Sequence, residues 1–297
     1  MSEVSSYREL EESVRARLKA QGLSNFENEA RWIVAETIGF SVNELLLSAE
    51  RLPEQSHIAQ VERALSRRLS GEPLSYVLGS ADFRGLELSV DPRVLIPRPE
   101  TEQIVDIVKA ALSGSTAKRC LEVGVGSGCI AISLLVEVPN LTMVGTDISA
   151  DALELCRHNA EQHGVGDRLE LIQGSVFSGV AQEAFDWVIS NPPYIDISDE
   201  RVAEDVRRYE PHVALFADHQ GLAIIREILR EAKSFMTSAG RLIVEHGEGQ
   251  SNAVVEEFSE QGFATVRHQD LFGKLRFVEG WLDGHGSASQ QRSQKFG

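Results

Sequence analysis

The sequence predicts an α/β protein in which a parallel β-sheet, with helices on both faces, follows a smaller all-helical domain. Apolar residues recur every three or four positions over the first 75 residues, which is typical of packed helices. From Lys118 onward, short apolar strands alternate with helices, the order that produces a parallel sheet. The composition, 42% hydrophobic and 25% charged, is ordinary for a globular protein and allows a sizeable core.

The N-terminal region, residues 1–75, is predicted to form four or five short helices. The helical pattern is interrupted at Gly22, Gly39 and Pro53, and Ser41 stands where a helix N-cap is expected. The region has neither a phosphate-binding glycine loop nor a cluster of catalytic residue types. Its composition leaves two roles open, a structural cap or a module that binds a partner.

Residues 76–283 are predicted to form one larger domain, which a β-hairpin links to the helical region. The polar, Gly/Ser-rich segment 284–297 is predicted to be a disordered tail. Strands are expected at residues 77–79 and 83–90 of the hairpin, and then at 120–123, 142–146, 169–173, 187–190, 241–245, 263–267 and 275–279. Helices are expected at residues 101–112, 129–138, 150–162, 221–236 and 252–261.

The charge balance excludes some classes of protein. A net charge of −16, from 45 acidic and 29 basic residues, argues against gripping nucleic-acid phosphates, so we expect no DNA partner. No apolar run approaches the roughly 18 residues of a membrane span, and no signal-peptide core is present, so we expect a cytoplasmic protein without a membrane partner. The three cysteines form no CxxC pair and the histidines lack metal-ligand spacing, so no metal site is expected.

A glycine-rich loop follows the first strand of the α/β region and opens a helix. The loop runs from Glu122 to Gly128, and its glycines let the backbone turn sharply and approach a ligand. Its N–H groups can face an anionic or electron-rich group. Asp147 ends the next strand, where a carboxylate accepts hydrogen bonds from both ribose hydroxyls of a nucleoside. Loop and carboxylate together predict a nucleoside site.

The spacing of the loop selects among nucleoside cofactors. A dinucleotide-binding loop has the pattern G-x-G-x-x-G, whereas here Gly124, Gly126 and Gly128 alternate with single residues. Glu122 would repel a pyrophosphate but suits the ammonium group of S-adenosylmethionine. We therefore expect S-adenosylmethionine as the cofactor and S-adenosylhomocysteine as its product. Val176 follows the third strand, whose end is expected to meet the adenine.

Asn191-Pro192-Pro193-Tyr194 ends the fourth strand, where ligands bind in open α/β sheets. A planar amide or amine nitrogen is a poor nucleophile because its lone pair is delocalised. The Asn191 side-chain oxygen and the Pro192 carbonyl can accept its two N–H groups and aim the nitrogen at a methyl donor. The prolines stiffen the backbone, and Tyr194 offers a flat face for stacking. We therefore predict Asn191, Pro192 and Tyr194 as catalytic, and the whole motif, including Pro193, as substrate-binding.

These motifs together resemble the HemK/PrmC family, the protein-glutamine methyltransferases that act on peptide chain release factors. The resemblance covers nearly the whole chain, to about Trp281. The segment Ile-Pro-Arg-Pro-Glu-Thr at residues 96–101, combined with Asn-Pro-Pro-Tyr, is far more specific than either motif alone. Matching stretches lie at residues 72–79, 83–86, 90–102, 126–131, 147–149, 190–195 and 209–211.

The resemblance implies a class I, Rossmann-like methyltransferase domain and a helical domain that helps to hold a class I release factor. The implied reaction transfers a methyl group from S-adenosylmethionine to the side-chain amide nitrogen, N5, of the glutamine in the factor's Gly-Gly-Gln loop. A monomer is expected. Phe83, Arg98 and Glu100 would lie near the substrate loop. The expected cofactor contacts are Glu122, Gly124, Val125, Gly126, Ser127, Gly128, Asp147, Val176 and Asn191.

Several positions depart from the family pattern. The loop begins Glu122-Val123-Gly124-Val125 where Asp-Leu-Gly-Thr is usual, which keeps the charge and the glycines, and Val176 occupies a position that is often larger. Ser175 stands where an aspartate is common, so any contact to adenine passes through water or backbone. His246 replaces an isoleucine directly after a strand, and it is the one histidine expected to reach the edge of the site.

Three other classes fit parts of the sequence. An adenine-N6 methyltransferase acting on DNA or RNA also uses Asn-Pro-Pro-Tyr, but the net charge and the lack of a target-recognition region argue against it. An NAD-dependent oxidoreductase would require a different glycine spacing in the loop and a suitably placed proton donor, which this sequence does not offer. A non-catalytic nucleoside-binding protein would not require Asn191 and Tyr194.

Overall fold

The computed structural model describes residues 4–112 and 118–282, and the chain divides into two compact units. Among the described residues, one unit comprises residues 4–80 together with Val202–Tyr209, and the other comprises residues 81–112, 118–201 and 210–282. The predicted tail, 284–297, lies outside the described residues.

The first unit is built from short helices that share one apolar core. Leu10, Val14, Ile33, Val61 and Leu65 are all buried there, as expected when the apolar residues of each helix recur on one face. Its first five helices are α1 Tyr7–Ala20, α2 Phe26–Thr37, α3 Val42–Leu47, α4 Gln55–Leu69 and α5 Leu74–Leu78.

The end of this helical region differs from the prediction. The strand predicted at residues 77–79 is absent: Val77 and Leu78 instead complete α5, whose Tyr76 and Val77 are buried, and Gly79 follows the helix. The helix stops at Gly79, which takes a left-handed φ of 82° that glycine adopts without strain. At α3, by contrast, the expected N-cap is present: the Ser41 hydroxyl accepts from the Glu44 backbone in a capping box.

The second unit contains a seven-stranded mixed sheet. The strands of the chain are β1 Ser80–Phe83, β2 Leu86–Ser89, β3 Lys118–Val123, β4 Leu141–Asp147, β5 Leu169–Gln173, β6 Phe185–Ser190, β7 Ile195–Asp196, β8 Phe216–Ala217, β9 Met236–Glu245, β10 Phe263–Gln269 and β11 Leu275–Leu282. The order in the large sheet is β10-β11-β9-β6-β3-β4-β5. The pairs β1–β2 and β7–β8 form two small sheets apart from it.

Helices cover both faces of this sheet. Alternate residues of a strand point to opposite faces, so Cys120 belongs to one apolar cluster and Leu121 to the other. The helices after α5 are α6 Glu102–Leu112, α7 Cys129–Glu137, α8 Ala150–Gln162, α9 Glu204–Tyr209, α10 His212–Leu215, α11 Asp218–Gly221, α12 Ala223–Ala232 and α13 Ser251–Glu260. Residues of α6, α7 and α8 pack in the first cluster, and residues of α12 and α13 in the second. Among the described residues, no helix has the length and apolar character needed to cross a bilayer.

Two predictions about this unit are wrong. The sheet is not wholly parallel, because β11 runs antiparallel to both β9 and β10. A short loop, rather than a helix, joins β10 to β11, and a connection that short permits only an antiparallel pair. The helix predicted at residues 221–236 is shorter: α12 begins at Ala223, a 3-10 turn occupies Lys233–Phe235, and β9 already begins at Met236.

Candidate active site

The carboxyl ends of three parallel strands meet at one edge of the sheet, because β3 pairs with β4 on one side and β6 on the other. A cavity opens at this edge, as expected for an open α/β sheet. The predicted site residues that line it are Glu122, Gly124, Val125, Gly126, Ser127, Asp147, Val176, Asn191 and Pro193. Gly128, Pro192 and Tyr194, also predicted as site residues, are not part of this lining.

The three loop glycines serve two different purposes. Gly124 and Gly126 have left-handed φ values of 75° and 53°, and a Cβ on either would meet no atom within 4 Å. These two therefore leave the cavity open to a ligand. Gly128 serves packing instead, since a Cβ there would lie 2.7 Å from both Cys156 Sγ and Ile132 Cδ1.

The backbone N–H groups of the loop are directed inward. Gly124 and Val125 donate to the Thr146 carbonyl at 2.8 and 2.9 Å, and Gly126 donates to Asp147 Oδ2 at 3.0 Å. The expectation that the loop's amides face a ligand is therefore wrong for these three. They hold the loop against the end of β4, which places the Asp147 carboxylate beside the glycines.

The Asp147 carboxylate is fixed by two backbone donors. Its Oδ2 accepts from Gly126, and its Oδ1 accepts from the Ser149 backbone at 2.9 Å. Each carboxylate oxygen has further acceptor capacity after one bond. Asp147 lines the cavity, so an oriented carboxylate faces it with lone pairs to spare.

Glu122 is a buried acid with an unpaired oxygen. It is 1% exposed, it lines the cavity, and its Oε2 has no hydrogen-bond partner among the described residues. Burial raises the pKa of this carboxyl well above its usual value, and nearby Asp147 acts in the same direction. A buried unpaired carboxylate is costly, so the position is chemically suited to a cationic ligand. The open glycines, Asp147 and Glu122 together fit a nucleoside that carries an ammonium group.

The loop after β5 contributes a strained residue. Val176 has a φ of 52°, a conformation that is costly for a β-branched side chain. Its carbonyl accepts from the buried Thr146 hydroxyl at 2.8 Å, which helps to hold this backbone in place. Val176 and Ser175 both line the cavity.

Asn191 and Tyr194 are joined by a buried hydrogen-bond chain. Asn191 Nδ2 donates to Thr101 Oγ1 at 3.2 Å, and Thr101 Oγ1 donates to Glu245 Oε2 at 2.8 Å. The Tyr194 hydroxyl donates to the other Glu245 oxygen at 3.2 Å. Desolvation raises the pKa of Glu245 to about 7, and burial beside Glu245 also raises the pKa of Tyr194.

The back of the Asn-Pro-Pro-Tyr motif is held by Gln250. Its Nε2 donates to the carbonyls of Tyr194 and Gln220 at 2.9 and 2.8 Å, and its Oε1 accepts from the Gly247 backbone at 2.7 Å. Gln220 belongs to a run of left-handed residues that ends at Gly221, where a Cβ would lie 1.9 Å from the Tyr194 carbonyl oxygen. Sequence reasoning missed Gln250, Thr101 and Glu245 as parts of the site because their partners are distant in the sequence.

The residues expected near the substrate loop are distributed unevenly. Arg98 lines the cavity and pairs with buried Glu210 at 2.5 Å. Phe83 is 1% exposed within the apolar core and does not line the cavity, so its predicted place in the site is wrong. Glu100 does not line the cavity either. His246 is fully buried with its Nδ1 donating to the Gly247 carbonyl, and it too is absent from the lining.

Within the described residues, no group of His, Cys, Asp and Glu side chains is arranged to hold a metal ion. A cavity at the strand ends, an oriented acid at β4 and a buried acid at the glycine loop are features of nucleoside-cofactor methyltransferases. Two family models agree with that class. Residues 101–206 match the Methyltransferase small domain, and residues 9–79 match the PrmC N-terminal domain.

Known proteins narrow the class to a family. A release factor glutamine methyltransferase of Geobacter sulfurreducens is 36% identical over 280 residues, covering 94% of this chain and 97% of that protein. The chain belongs to the release factor glutamine methyltransferase family. It is also 36% identical over 291 residues to a bifunctional methyltransferase of Rickettsia bellii, and it spans about half (52%) of that longer relative.

A solved structure supports the fold. The hMettl16 catalytic domain, solved in complex with a 3'UTR hairpin, aligns with a TM-score of 0.57 at 16% identity, covering 76% of this chain and 84% of that one. At this identity the likeness concerns the methyltransferase fold alone.

Proposed function

We propose that the protein transfers a methyl group from S-adenosylmethionine to the side-chain amide nitrogen of the glutamine in the Gly-Gly-Gln loop of class I peptide chain release factors. The observation that carries the proposal is the position of Asn191. It stands at the carboxyl end of β6, in the lining of the cavity that also contains the glycine loop, Glu122 and Asp147. A planar amide nitrogen held at Asn191 therefore lies in the same cavity as the methyl donor.

The cofactor would be held by groups that the chain already orients. Asp147 would accept from the ribose hydroxyls, and the Glu122 oxygen that lacks a partner would accept from the ammonium group. The open space at Gly124 and Gly126 admits the ligand, with Val125 and Ser127 beside it, while Gly128 keeps the loop packed on α8. Val176 would meet the adenine edge. When bound, the cofactor supplies an electrophilic methyl group.

The glutamine amide would be activated by acceptors rather than by a general base. The Asn191 side-chain oxygen and the Pro192 carbonyl would accept its two N–H groups and turn the nitrogen toward the donor. Pro193 and Tyr194 would complete the clamp on the glutamine side chain. Positioning of this kind can supply a large part of a rate enhancement. After transfer, the amide nitrogen loses its extra proton to water, which restores a neutral N5-methylglutamine.

The remaining assignments follow the same proposal. The helical unit would help to hold the release factor, and the enzyme would act as a cytoplasmic monomer. A nucleic-acid substrate has less support. The net charge of −16 disfavours binding to phosphates, and the Geobacter sulfurreducens relative, which aligns with 94% of this chain, is named a release factor glutamine methyltransferase.

Mass spectrometry on a purified class I release factor, incubated with the enzyme and S-adenosylmethionine, tests the proposal. We expect a gain of one methyl group on the glutamine of the Gly-Gly-Gln loop. A methylated adenine oligonucleotide with an unmodified factor would overturn it in favour of a nucleic-acid substrate.

A further inference from the structure

The Asn-Pro-Pro-Tyr motif is tied at both ends to one buried carboxylate. Glu245, the last residue of β9, is 1% exposed and accepts from Thr101 on one oxygen and from Tyr194 on the other. Thr101 is equally buried and is also bonded to Asn191. The chain Asn191–Thr101–Glu245–Tyr194 thus joins four side chains through three hydrogen bonds.

Counting hydrogens along this chain determines which way Asn191 faces. A threonine hydroxyl has one hydrogen, and an ionised carboxylate can only accept. Thr101 therefore donates its only hydroxyl hydrogen to Glu245 and can offer only lone pairs to Asn191. The asparagine must then present its NH₂ group to Thr101, as observed at 3.2 Å. Its oxygen consequently stands at the other side of the amide, free for a ligand in the cavity.

We propose that Glu245 is a positioning residue that acts through Thr101 to fix the amide orientation of Asn191, and through the Tyr194 hydroxyl to fix the far end of the motif. This inference rests on the proposed function, in which the Asn191 oxygen accepts from the substrate amide. Glu245 does not line the cavity, and Thr101, which does, is assigned no contact with the reacting nitrogen in this proposal. Their role is to keep an acceptor, rather than a competing donor, aimed at it.

Protonation of Glu245 removes this constraint. A protonated carboxyl can donate to Thr101, whose hydrogen then turns toward Asn191 and allows the asparagine to rotate its NH₂ group into the cavity. Two donors then face each other and the substrate amide is misplaced. Four charged or titratable groups surround Glu245. The hydrogen bond from Tyr194 and the charge of Arg276 on β11 favour its ionised form, whereas the charge of Glu100 disfavours it. Cys129 of α7 is the fourth group.

These groups together determine the pH above which Glu245 is ionised. Burial raises the pKa of Glu245 to about 7, above its usual value, so the ionised form that fixes Asn191 prevails above that pH. We expect kcat, measured with S-adenosylmethionine held at saturation, to fall as the pH is lowered through about 7.

The variants Thr101→Val and Thr101→Ser distinguish the effect of the Thr101 hydroxyl from the effect of the side-chain volume. Valine keeps the volume and removes the hydroxyl, so we expect kcat on a release factor to fall by about tenfold or more. Serine keeps the hydroxyl and should rescue most of that loss. S-adenosylhomocysteine affinity, measured by calorimetry, should stay within about threefold in both. Thr142→Val, at an exposed position on β4, is the matched control. Full kcat in Thr101→Val, or equal losses in the valine and serine variants, would overturn the inference.

A second measurement is independent of the substrate. Carboxyl ¹³C NMR on the intact protein follows the pKa of Glu245, which should rise above about 7 in Thr101→Val because one of its two donors is lost. Thr101→Ser and Thr142→Val should leave it near the wild-type value. An unchanged pKa in Thr101→Val overturns the inference even if the enzyme is active. If the wild-type enzyme leaves release factors unmodified while the pKa of Glu245 rises in Thr101→Val as expected, the proposed function is contradicted but the inference about Glu245 is not.

Discussion

The two halves of the cavity are built in different ways. In the half proposed to bind the nucleoside, called the nucleoside half below, the glycine loop and its acid are near in sequence: the bond from Gly126 to Asp147 joins residues only 21 positions apart. In the half proposed to bind the methyl acceptor, called the acceptor half below, Asn191 is bonded to Thr101 across 90 positions, and Thr101 to Glu245 across 144. The first half is a local strand–loop–helix arrangement, whereas the second exists only once the whole sheet has formed. Substitutions in the two halves should therefore have separable effects.

The largest expected effect lies in the acceptor half. Asn191→Ala removes the oxygen proposed to accept from the substrate amide, and we expect kcat to fall by about 10³-fold, as when a preorganised polar group is lost from an active site. S-adenosylhomocysteine should still bind, as measured by isothermal titration calorimetry. Asn252→Ala, at an exposed position on α13, is the control. Turnover at the wild-type rate would refute the proposed mechanism.

The next effect belongs to the nucleoside half. Asp147→Ala removes the carboxylate that faces the cavity and also the acceptor of the Gly126 N–H. We expect S-adenosylhomocysteine to bind about 10- to 100-fold more weakly, because hydrogen bonds to a charged group are lost. Equilibrium titration of the variant, with the exposed Asp167→Ala for comparison, measures this. Unchanged affinity would rule out the ribose role.

Glu122 should couple cofactor binding to pH. Burial raises its pKa in the free protein, and an ammonium group beside it lowers that pKa again, so binding should release a proton. Affinity should therefore rise with pH until the free carboxyl is ionised. Calorimetry in buffers of different ionisation enthalpy detects the proton. In Glu122→Gln the release should disappear and affinity should fall roughly tenfold; the exposed Glu256→Gln should retain both.

The smallest expected effect concerns the support behind the motif. Gln250→Ala removes two donors to backbone carbonyls and one acceptor, and we expect the free energy of unfolding to fall by about 1–3 kcal/mol. Denaturant titration measures the change. The rate should fall more than the cofactor affinity, since Gln250 contacts Tyr194 and not the nucleoside half. Equal losses in both would show that the two halves are not separable. Gln182→Ala, at an exposed position, is the matched variant.

The same contrast explains what could be predicted from the sequence. The fold class is confirmed, because helical and strand periodicity follow directly from which faces are buried. The positions of Glu122, Asp147 and Asn191 are predictable because all three lie at or next to the carboxyl ends of strands. Thr101 belongs to the Ile-Pro-Arg-Pro-Glu-Thr segment and Glu245 ends a predicted strand, but the sequence does not show that the two are paired, because that contact forms only when distant segments come together. Gln250 follows no predicted strand directly and has no signal of this kind. The antiparallel β11 departs from the predicted parallel sheet because no helix separates it from β10, which leaves the connection too short for a parallel pair.

The elements between β6 and α12 could not be predicted from hydrophobic periodicity either. It contains β7, α9, α10, β8 and α11, all of which are six residues long or shorter. Elements of this length hold too few residues to display a periodicity. The left-handed backbone at His219 and Gln220 is unusual for residues other than glycine, so the residue types there do not indicate it.

Gly221 limits how the substrate range of this enzyme can be altered. Any side chain there would collide with the Tyr194 carbonyl oxygen, and Gln250 fills the space beside it. The rear of the acceptor motif is therefore closed to redesign, and libraries that randomise it should yield mostly inactive protein. Variation aimed at a bulkier amide is better directed at Val213, Ala214 and Ile224, apolar residues that line the cavity.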